Sequence, residues 1–466
     1  MRGALDAIDL FLEAWPDYAA TGALDELRAQ EFGRLDAEGH TYLDYTGAGL
    51  YGASQVRRHS TLLLSDVFGN PHSDNPTSKR STDLVERARR HVLSFFNASP
   101  DDYCVIFTGN ASHALKLIGE SYPFGPGTRF VLTFDNHNSV NGIREFARAR
   151  GAETEYIPVD PPDLRVDAPT VEHALGVTRS GGPGLFAFPA QSNFSGVQHD
   201  LGWIAAAQSR GWDVLLDAAA FVPTNRLDLG RWTPDFVVLS FYKLFGYPTG
   251  VGALVARWPA LAKLRRPWFA GGTITVASVG ADRHHLARGA QAFEDGTLDF
   301  ASLPAVDIGL EFVESAGLDV IHRRVTCLAG WLITSLLALR HTTGRPLVTL
   351  YGPADVRARG GTVTVNFRDA SGGFIDHQRI EAAAGERRIS IRSGCFCNPG
   401  AGELAMGISP EEMTSCFARS SDRITYDDFR RCIDGKGTGA VRISFGLASN
   451  FADAWTFVEF ARQFLA

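Results

Sequence analysis

The chain has 466 residues, 45% hydrophobic and 21% charged, with 45 basic against 52 acidic side chains and a formal net charge of −7. This is the composition of a globular protein with a large core, and it argues against a nucleic-acid binder, which carries a basic balance or patch. Six cysteines in this length do not make a disulfide scaffold, so reduced thiols and a cytoplasmic address are expected. Only five of the basic residues are lysine (Lys79, Lys116, Lys243, Lys263 and Lys436), so any amine chemistry has few candidates.

The first 40 residues read as two helices, Ala4–Ala14 and Thr21–Glu31, the second opened by a Thr21 cap. Asp6, Asp9 and Glu13 interrupt the apolar start, which does not read as a signal peptide. From Tyr42 onward, short apolar runs alternate with helical stretches. The runs are Tyr103–Thr108, Phe130–Phe134, Leu185–Phe188, Asp213–Leu216, Phe236–Phe241 and Gly252–Val255; the helices include Ala111–Glu120, Val140–Arg150 and Ile204–Ser209. Continuous apolar strands separated by helices predict a parallel sheet covered on both faces. Past about Pro304 a long helix, Leu318–Leu339, leads into strands at Thr362–Phe367, Ile389–Ser393 and Val441–Phe445, a smaller α/β domain closing over the first. The apolar part of that helix, Leu328–Leu339, is shorter than the roughly 20 residues that cross a bilayer.

In parallel sheets, ligands sit at the carboxyl ends of the strands. Lys243 follows the run Phe236–Phe241 inside an apolar, glycine-flanked segment. Desolvation there lowers an amine's pKa and makes it nucleophilic, as a Schiff-base lysine requires. Asp217 ends another run and can keep a ring nitrogen protonated, although a strand-end aspartate alone is more often a helix cap. Thr108 to Ser112 is a small-residue turn before a helix, the kind that closes on a phosphate. His137 and Asn193 follow two further strands; taken singly, a satisfied loop histidine and an Asx turn account for them.

Jointly these residues resemble the fold-type I pyridoxal 5′-phosphate enzymes of the class V aminotransferase and cysteine desulfurase group, with the sulfurase domain of molybdenum cofactor sulfurases as the nearest branch. The likeness is carried by Tyr42–Tyr45, Gly69–Ser73, Ser240–Gly252, Phe293–Thr297, Arg392–Asn398 and Val441–Gly446, in family order along nearly the whole chain. It implies a mostly parallel seven-stranded sheet with helices on both faces plus a smaller C-terminal α/β domain. The parts would be a helical segment, 1–40, packing with the small domain; a large cofactor-binding domain, 41–304; and the small domain, 305–466.

The resemblance also implies roles. Lys243 is the Schiff-base lysine, Asp217 the partner of the pyridine nitrogen, His137 the ring-stacking histidine and Asn193 the neighbour of the phenolic oxygen. Gly109, Asn110, Ala111 and Ser112, with Ser240, match the phosphate cup, and Tyr242 precedes the lysine. Thr273 matches a residue that reaches the phosphate from a partner subunit, which implies a homodimer. Arg442 and Arg392 match the substrate-carboxylate arginines. Cys397 matches the persulfide-forming cysteine, which needs a thiolate on a mobile loop near cations; Cys395 is a secondary thiol that shields or resolves a persulfide.

The expected activity is sulfur transfer from L-cysteine through Cys397 to an acceptor protein or small molecule, with no nucleic-acid or membrane partner. The alternatives are C–S lysis, epimerisation or transamination of a specialised metabolite, and a catalytically silent cofactor-binding scaffold. Three positions depart from the family pattern. Asn110 stands for a usual glycine and is tolerated because asparagine accepts left-handed backbone, Ala220 replaces a glutamine, and Tyr242 replaces a histidine. The sulfurases also carry a C-terminal domain that binds molybdenum cofactor, with no counterpart up to Ala466, so sulfuration of that cofactor by this chain alone is not expected.

Two competing motifs fare worse. Gly47–Gly52 has dinucleotide-fingerprint spacing, but it needs a helix opening there and an acidic residue after a second strand roughly 20 residues on, where the loop Phe68–Pro71 stands instead. Cys395, Cys397, Cys416 and Cys432 lack the paired spacing of structural zinc sites.

Overall fold

The structure is a computed structural model that describes residues 2–71, 73–176, 184–419, 425, 428, 432 and 439–466. Lys436 and His72 lie outside the described residues. Seven strands form the principal sheet: β1 (Tyr103–Thr108), β2 (Arg129–Thr133), β3 (Glu153–Ile157), β4 (Leu185–Pro189), β5 (Asp213–Asp217), β6 (Phe236–Ser240) and β7 (Gly252–Arg257). Their order is β1-β7-β6-β5-β4-β2-β3, and β7 alone runs antiparallel to its neighbours. This is the mostly parallel seven-stranded sheet that the resemblance implies.

Strand side chains alternate between two cores. Ile106, Leu132, Ala187, Leu215, Val238 and Leu254 pack with Ala114, Ile118 and Ile143 on one face. Their neighbours Val105, Val131, Phe186, Leu216, Val237 and Val255 face Val85, Trp203, Ile204 and Leu310 on the other. Burial on both faces is why these strands read as unbroken apolar runs. The sequence run missed was β3, an edge strand whose residues Glu153 to Tyr156 stay partly exposed. Polar side chains protect such an edge from mispairing and erase the hydrophobic signal.

The antiparallel β7 positions the site. Gly252 is in register with both Thr108 of β1 and Ser240 of β6. A Cβ there would stand 2.6 Å from both Asn110 Cα and the Leu239 carbonyl oxygen, so glycine lets the two strand ends close on each other. The result is a hydrogen bond from Ala111 N–H to Ser240 Oγ at 3.0 Å.

Two further strands, β8 (Ile274–Ser278) and β9 (Arg283–Leu286), form an exposed hairpin that the sequence did not suggest. A second sheet contains β10 (Val348–Tyr351), β11 (Thr362–Phe367), β12 (Arg392–Gly394) and β13 (Ala440–Ser444), in the antiparallel order β10-β11-β13-β12. The expected strand Ile389–Ser393 is thus divided. Ile389–Ser390 pairs in parallel with Thr41–Tyr42, and only after Ile391 does β12 join β13. Two partners at different angles require that break.

The N-terminal helices Arg2–Ala14 and Ala23–Glu31 pack on Leu318–Ala338 and Phe451–Arg462; Phe11 stacks on Phe451 with ring centroids 4.6 Å apart. The expected Thr21 cap is corrected. Gly22 occupies the N-cap, and the Thr21 hydroxyl donates to the Tyr18 carbonyl while accepting from Arg324 Nε at 2.9 Å. Burial against Arg324 outcompetes the local turn.

Arg28 donates to Asp453 at 2.5 Å and to the Ala448 carbonyl at 2.7 Å, both ends of the ion pair being buried. Its other acid, Asp36, is mostly exposed. Replacing Arg28 with Met strands Asp453 and should cost about 3 kcal/mol in denaturant unfolding, whereas Asp36→Asn should cost under about 1 kcal/mol. Equal losses would contradict this assignment.

Candidate active site

Five strand ends of the principal sheet meet β12, β13 and the loop after β12 at two joined clefts. The inner cleft, about 700 Å³ of empty space, is lined by Asn110, Ala111, Ser112, His137, Asn193, Asp217, Ser240, Tyr242 and Lys243. The outer cleft, about 1340 Å³, is lined by His137, Asn193, Tyr242, Lys243, Arg392, Cys395, Cys397 and Arg442. The structure therefore gathers most of the expected site residues, and Lys243 lines both clefts.

Lys243 sits on the short helix Phe241–Phe245 that follows β6 directly. Burial holds its ammonium below the usual lysine range; Asp217 opposes that shift and Arg442 adds to it. Lys263, by contrast, pairs with Asp213 at 2.6 Å, and Lys116 lies in the helix Ala111–Ser121, 3.9 Å from Glu120. Asp217 accepts from Ala219 N–H at 3.0 Å in a turn, not at a helix N-terminus. The His137 imidazole is lowered chiefly by burial, against Asp217 and with help from Lys243 and Arg442. Its Nδ1 accepts from Ser139 N–H at 3.1 Å, so the ring both caps the helix Asn138–Asn141 and lines the cleft.

The helix Ala111–Ser121 points its N-terminus at the inner cleft. Asn110 is its N-cap, accepting from His113 N–H at 2.9 Å. Its backbone is extended, with φ −179°, so the left-handed conformation expected for it is not used. The Ser112 hydroxyl pairs with Ser139 at 2.6 Å. Gly109 lies apart, in a separate recess with Thr108, His113, Gly250 and Asp295. Thr273 is not among the residues of either cleft; it is buried, with its hydroxyl bound to Ala270 at the root of the β8–β9 hairpin.

The backbone of the cysteine loop is hydrogen-bonded around Cys397. The Cys397 carbonyl accepts from Asn138 N–H at 2.7 Å, and the Phe396 carbonyl accepts from Asn193 Nδ2 at 2.7 Å. Asn398 Nδ2 donates to the Asp135 carbonyl at 2.7 Å and to Asn193 Oδ1 at 2.9 Å. Asn193 thus serves the loop with both ends of its amide, and one N–H of its pair remains for the cleft. The side chains of Cys395 and Cys397 are free and exposed. Cys416 and Cys432 are instead joined in a disulfide, which overturns the expectation that all thiols are reduced. Among the described residues, no group of three His, Cys, Asp or Glu side chains converges as a metal site would.

The sequence reading missed Asp44, which pairs with both Arg392 and Arg442. Its signal was present in the stretch Tyr42–Tyr45, but no acidic partner is implied by two arginines assigned to a substrate. It also missed the buried His199–Asp135 pair, 3.0 Å apart, which steadies the loop leading to His137. Burial opposes charge on Asp135, but His199 and the hydroxyls of Thr133 and Ser192 outweigh it and hold its pKa low. At Gly47–Gly52 a helix, Ala53–Ser65, does open, contrary to expectation. However, the preceding strand belongs to no nucleotide-binding sheet, and Gly49 N–H donates to the Tyr242 carbonyl at 3.0 Å, bracing the lysine helix.

The donor set suits an anionic, flat, carbonyl-bearing cofactor. A helix N-terminus with two hydroxyls faces one end, a carboxylate stands by the cleft, and a depressed amine lies between. Arg442 adds a buried guanidinium whose Nε has no hydrogen-bond partner among the described residues.

Residues 41–456 match the Aminotransferase class-V family. The chain is 40% identical over 470 residues to a molybdenum cofactor sulfurase of Solanum lycopersicum, covering 94% of this chain and 57% of that protein. It is 39% identical over 461 residues to the one of Bos taurus, covering 94% and 51%. The chain thus spans little more than half the length of these relatives. Among solved structures, a cysteine desulfurase from Thermococcus onnurineus NA1 superposes with a TM-score of 0.77 at 22% identity, covering 94% of this chain and 97% of that one.

Because burial penalises the Lys243 ammonium, the unfolded state binds more protons between the depressed folded pKa and the ordinary lysine value, and stability rises with pH across that window. Lys243→Met should therefore raise the thermal midpoint of the cofactor-free protein at neutral pH. The gain should shrink as pH climbs towards the ordinary lysine value. A pH-independent difference would contradict a depressed amine.

Proposed function

The chain belongs to the class-V aminotransferase family, and from that premise we propose that it is a cysteine desulfurase-like enzyme that moves sulfur from L-cysteine through Cys397 to an acceptor. The observation that carries this reading is Lys243 at the junction of a cofactor-shaped cleft and a cleft holding Cys397, Arg392 and Arg442. The cofactor is pyridoxal 5′-phosphate, which when bound withdraws electrons from the substrate's α-carbon.

The chain's own residues do the rest. Asn110 to Ser112 and Ser240 would hold the phosphate at the helix N-terminus, Asp217 would keep the ring nitrogen protonated, and His137 would pack on the ring. Arg442 takes the substrate carboxylate through its guanidinium, beside an Arg392 that Asp44 already holds. Lys243, depressed enough to accept a proton, moves the one on the α-carbon. Cys397 Sγ attacks the substrate sulfur. An S–S bond forms, the C–S bond breaks with its electron pair left on carbon, and protonation there yields alanine. The acceptor then takes the outer sulfur.

A homodimer is part of this proposal. Its support is the hairpin region, where Trp268, Phe269, Val276 and Val279 are exposed; Thr273, at its root, would have to release its bonds to Ala270 to reach a partner's phosphate site. Separate sheets support a division near residue 304, while Thr41–Tyr42 pairs with Ile389–Ser390 of the smaller part. Among the described residues no helix is long and apolar enough to cross a membrane, and the need for a free Cys397 thiol favours a cytoplasmic setting.

Cys397→Ser should keep the visible absorbance of bound cofactor while lowering alanine formation from L-cysteine about 10³-fold or more and abolishing the enzyme persulfide. Full activity in that variant would show that sulfur leaves by lysis. Lys243→Ala should lose the visible band on addition of pyridoxal phosphate, and an unchanged spectrum would refute the cofactor linkage.

A further inference from the structure

Arg392 and Arg442 are register partners on adjacent antiparallel strands, an arrangement in which like charges repel. They share one carboxylate. Arg392 Nε and Nη2 donate to Asp44 Oδ2 at 3.0 and 2.6 Å, and Arg442 Nη2 donates to Oδ1 at 3.1 Å. Asp44 is buried, and its carbonyl accepts from the N–H groups of Gly47 and Ala48. A Cβ on Gly47 would lie 2.6 Å from Asp44 Oδ2 and 2.8 Å from Arg392 Nη2, so only a glycine closes over this pair. Arg442 also donates Nη1 to the Asn193 carbonyl at 3.0 Å, and its Nε is buried with no partner among the described residues. Burial pushes the Arg442 guanidinium down to about 10, with Asp44 acting to hold its charge.

Two guanidiniums and one carboxylate leave this trio with one net positive charge, and the Glu381 carboxylate lines the same cleft. We infer that Asp44 sets substrate specificity: by neutralising Arg392 it limits the cleft to one substrate carboxylate, admitting amino acids with an uncharged side chain and disfavouring those with a second anionic group. This rests on the amino-acid reading of the cleft. An α-carboxylate meets Arg442, and the side chain is directed past Arg392 towards Cys397; all three residues line the same cleft. A thiol makes no demand on Arg392. A second carboxylate needs a guanidinium and finds one already committed, which is discrimination by occupation of the competing donor. Without the Asp44 charge, Arg392 is released for that second anion.

The test is calorimetric titration of the holoprotein with L-alanine and L-aspartate. Wild type should bind L-alanine more tightly. Asp44→Asn should shift the ratio of the two dissociation constants towards L-aspartate by about tenfold or more, and Asp44→Glu should restore the wild-type preference. Asp44→Ser serves as the second charge-removing variant should the amide variant fold poorly. A ratio unchanged from wild type in the folded charge-removing variants would overturn the inference, since a merely structural role weakens both ligands alike. Failure of wild type to bind either L-alanine or L-cysteine would instead defeat the amino-acid reading and this inference with it.

Discussion

Three separate stretches of the chain meet at one shared carboxylate. Asp44 comes from the segment after the N-terminal helices, and Arg392 and Arg442 come from β12 and β13. Arg442 then reaches the Asn193 carbonyl just beyond β4 of the principal sheet. Opposed guanidiniums on neighbouring strands are tolerable only with an anion between them, and a buried arginine needs its donors met. The pairing therefore ties the small sheet to the strand ends of the large one. It also leaves the three paired residues with a single net positive charge.

The cysteine loop depends on that frame. Phe396 and Cys397 both adopt φ near +56°, a conformation that costs a non-glycine residue about 1–3 kcal/mol. It persists because Asn138, Asn193 and Asn398 fix the loop's backbone, while the Phe396 ring lies 4.6 Å under the Arg442 guanidinium. The backbone is held and the thiols project outward. Presenting a nucleophile from a fixed backbone lessens the ordering needed at each attack.

Much of this was legible in the sequence. The six apolar runs announced their strands because both faces are buried, and a scarcity of lysine made Lys243 stand out at the end of β6. The polar edge strand β3 gave no such signal. The division at Ile391 was hidden as well, since pairing partners far apart in sequence decide where a strand turns. Asn110 shows the same limit locally: the residue was noticed, but its role as an extended N-cap follows from the helix behind it. Asp44 was quoted within a family stretch yet had no role until the two arginines were seen to share it. Residues that bind other residues, rather than ligand, are the ones a linear reading misses.

The most direct measurement of the central claim is incubation of the holoprotein with L-cysteine, followed by assay of alanine, pyruvate and sulfide together with the mass of the peptide carrying Cys397. The account predicts alanine and a Cys397 peptide heavier by one sulfur atom. Pyruvate with free sulfide and an unmodified Cys397 would contradict it.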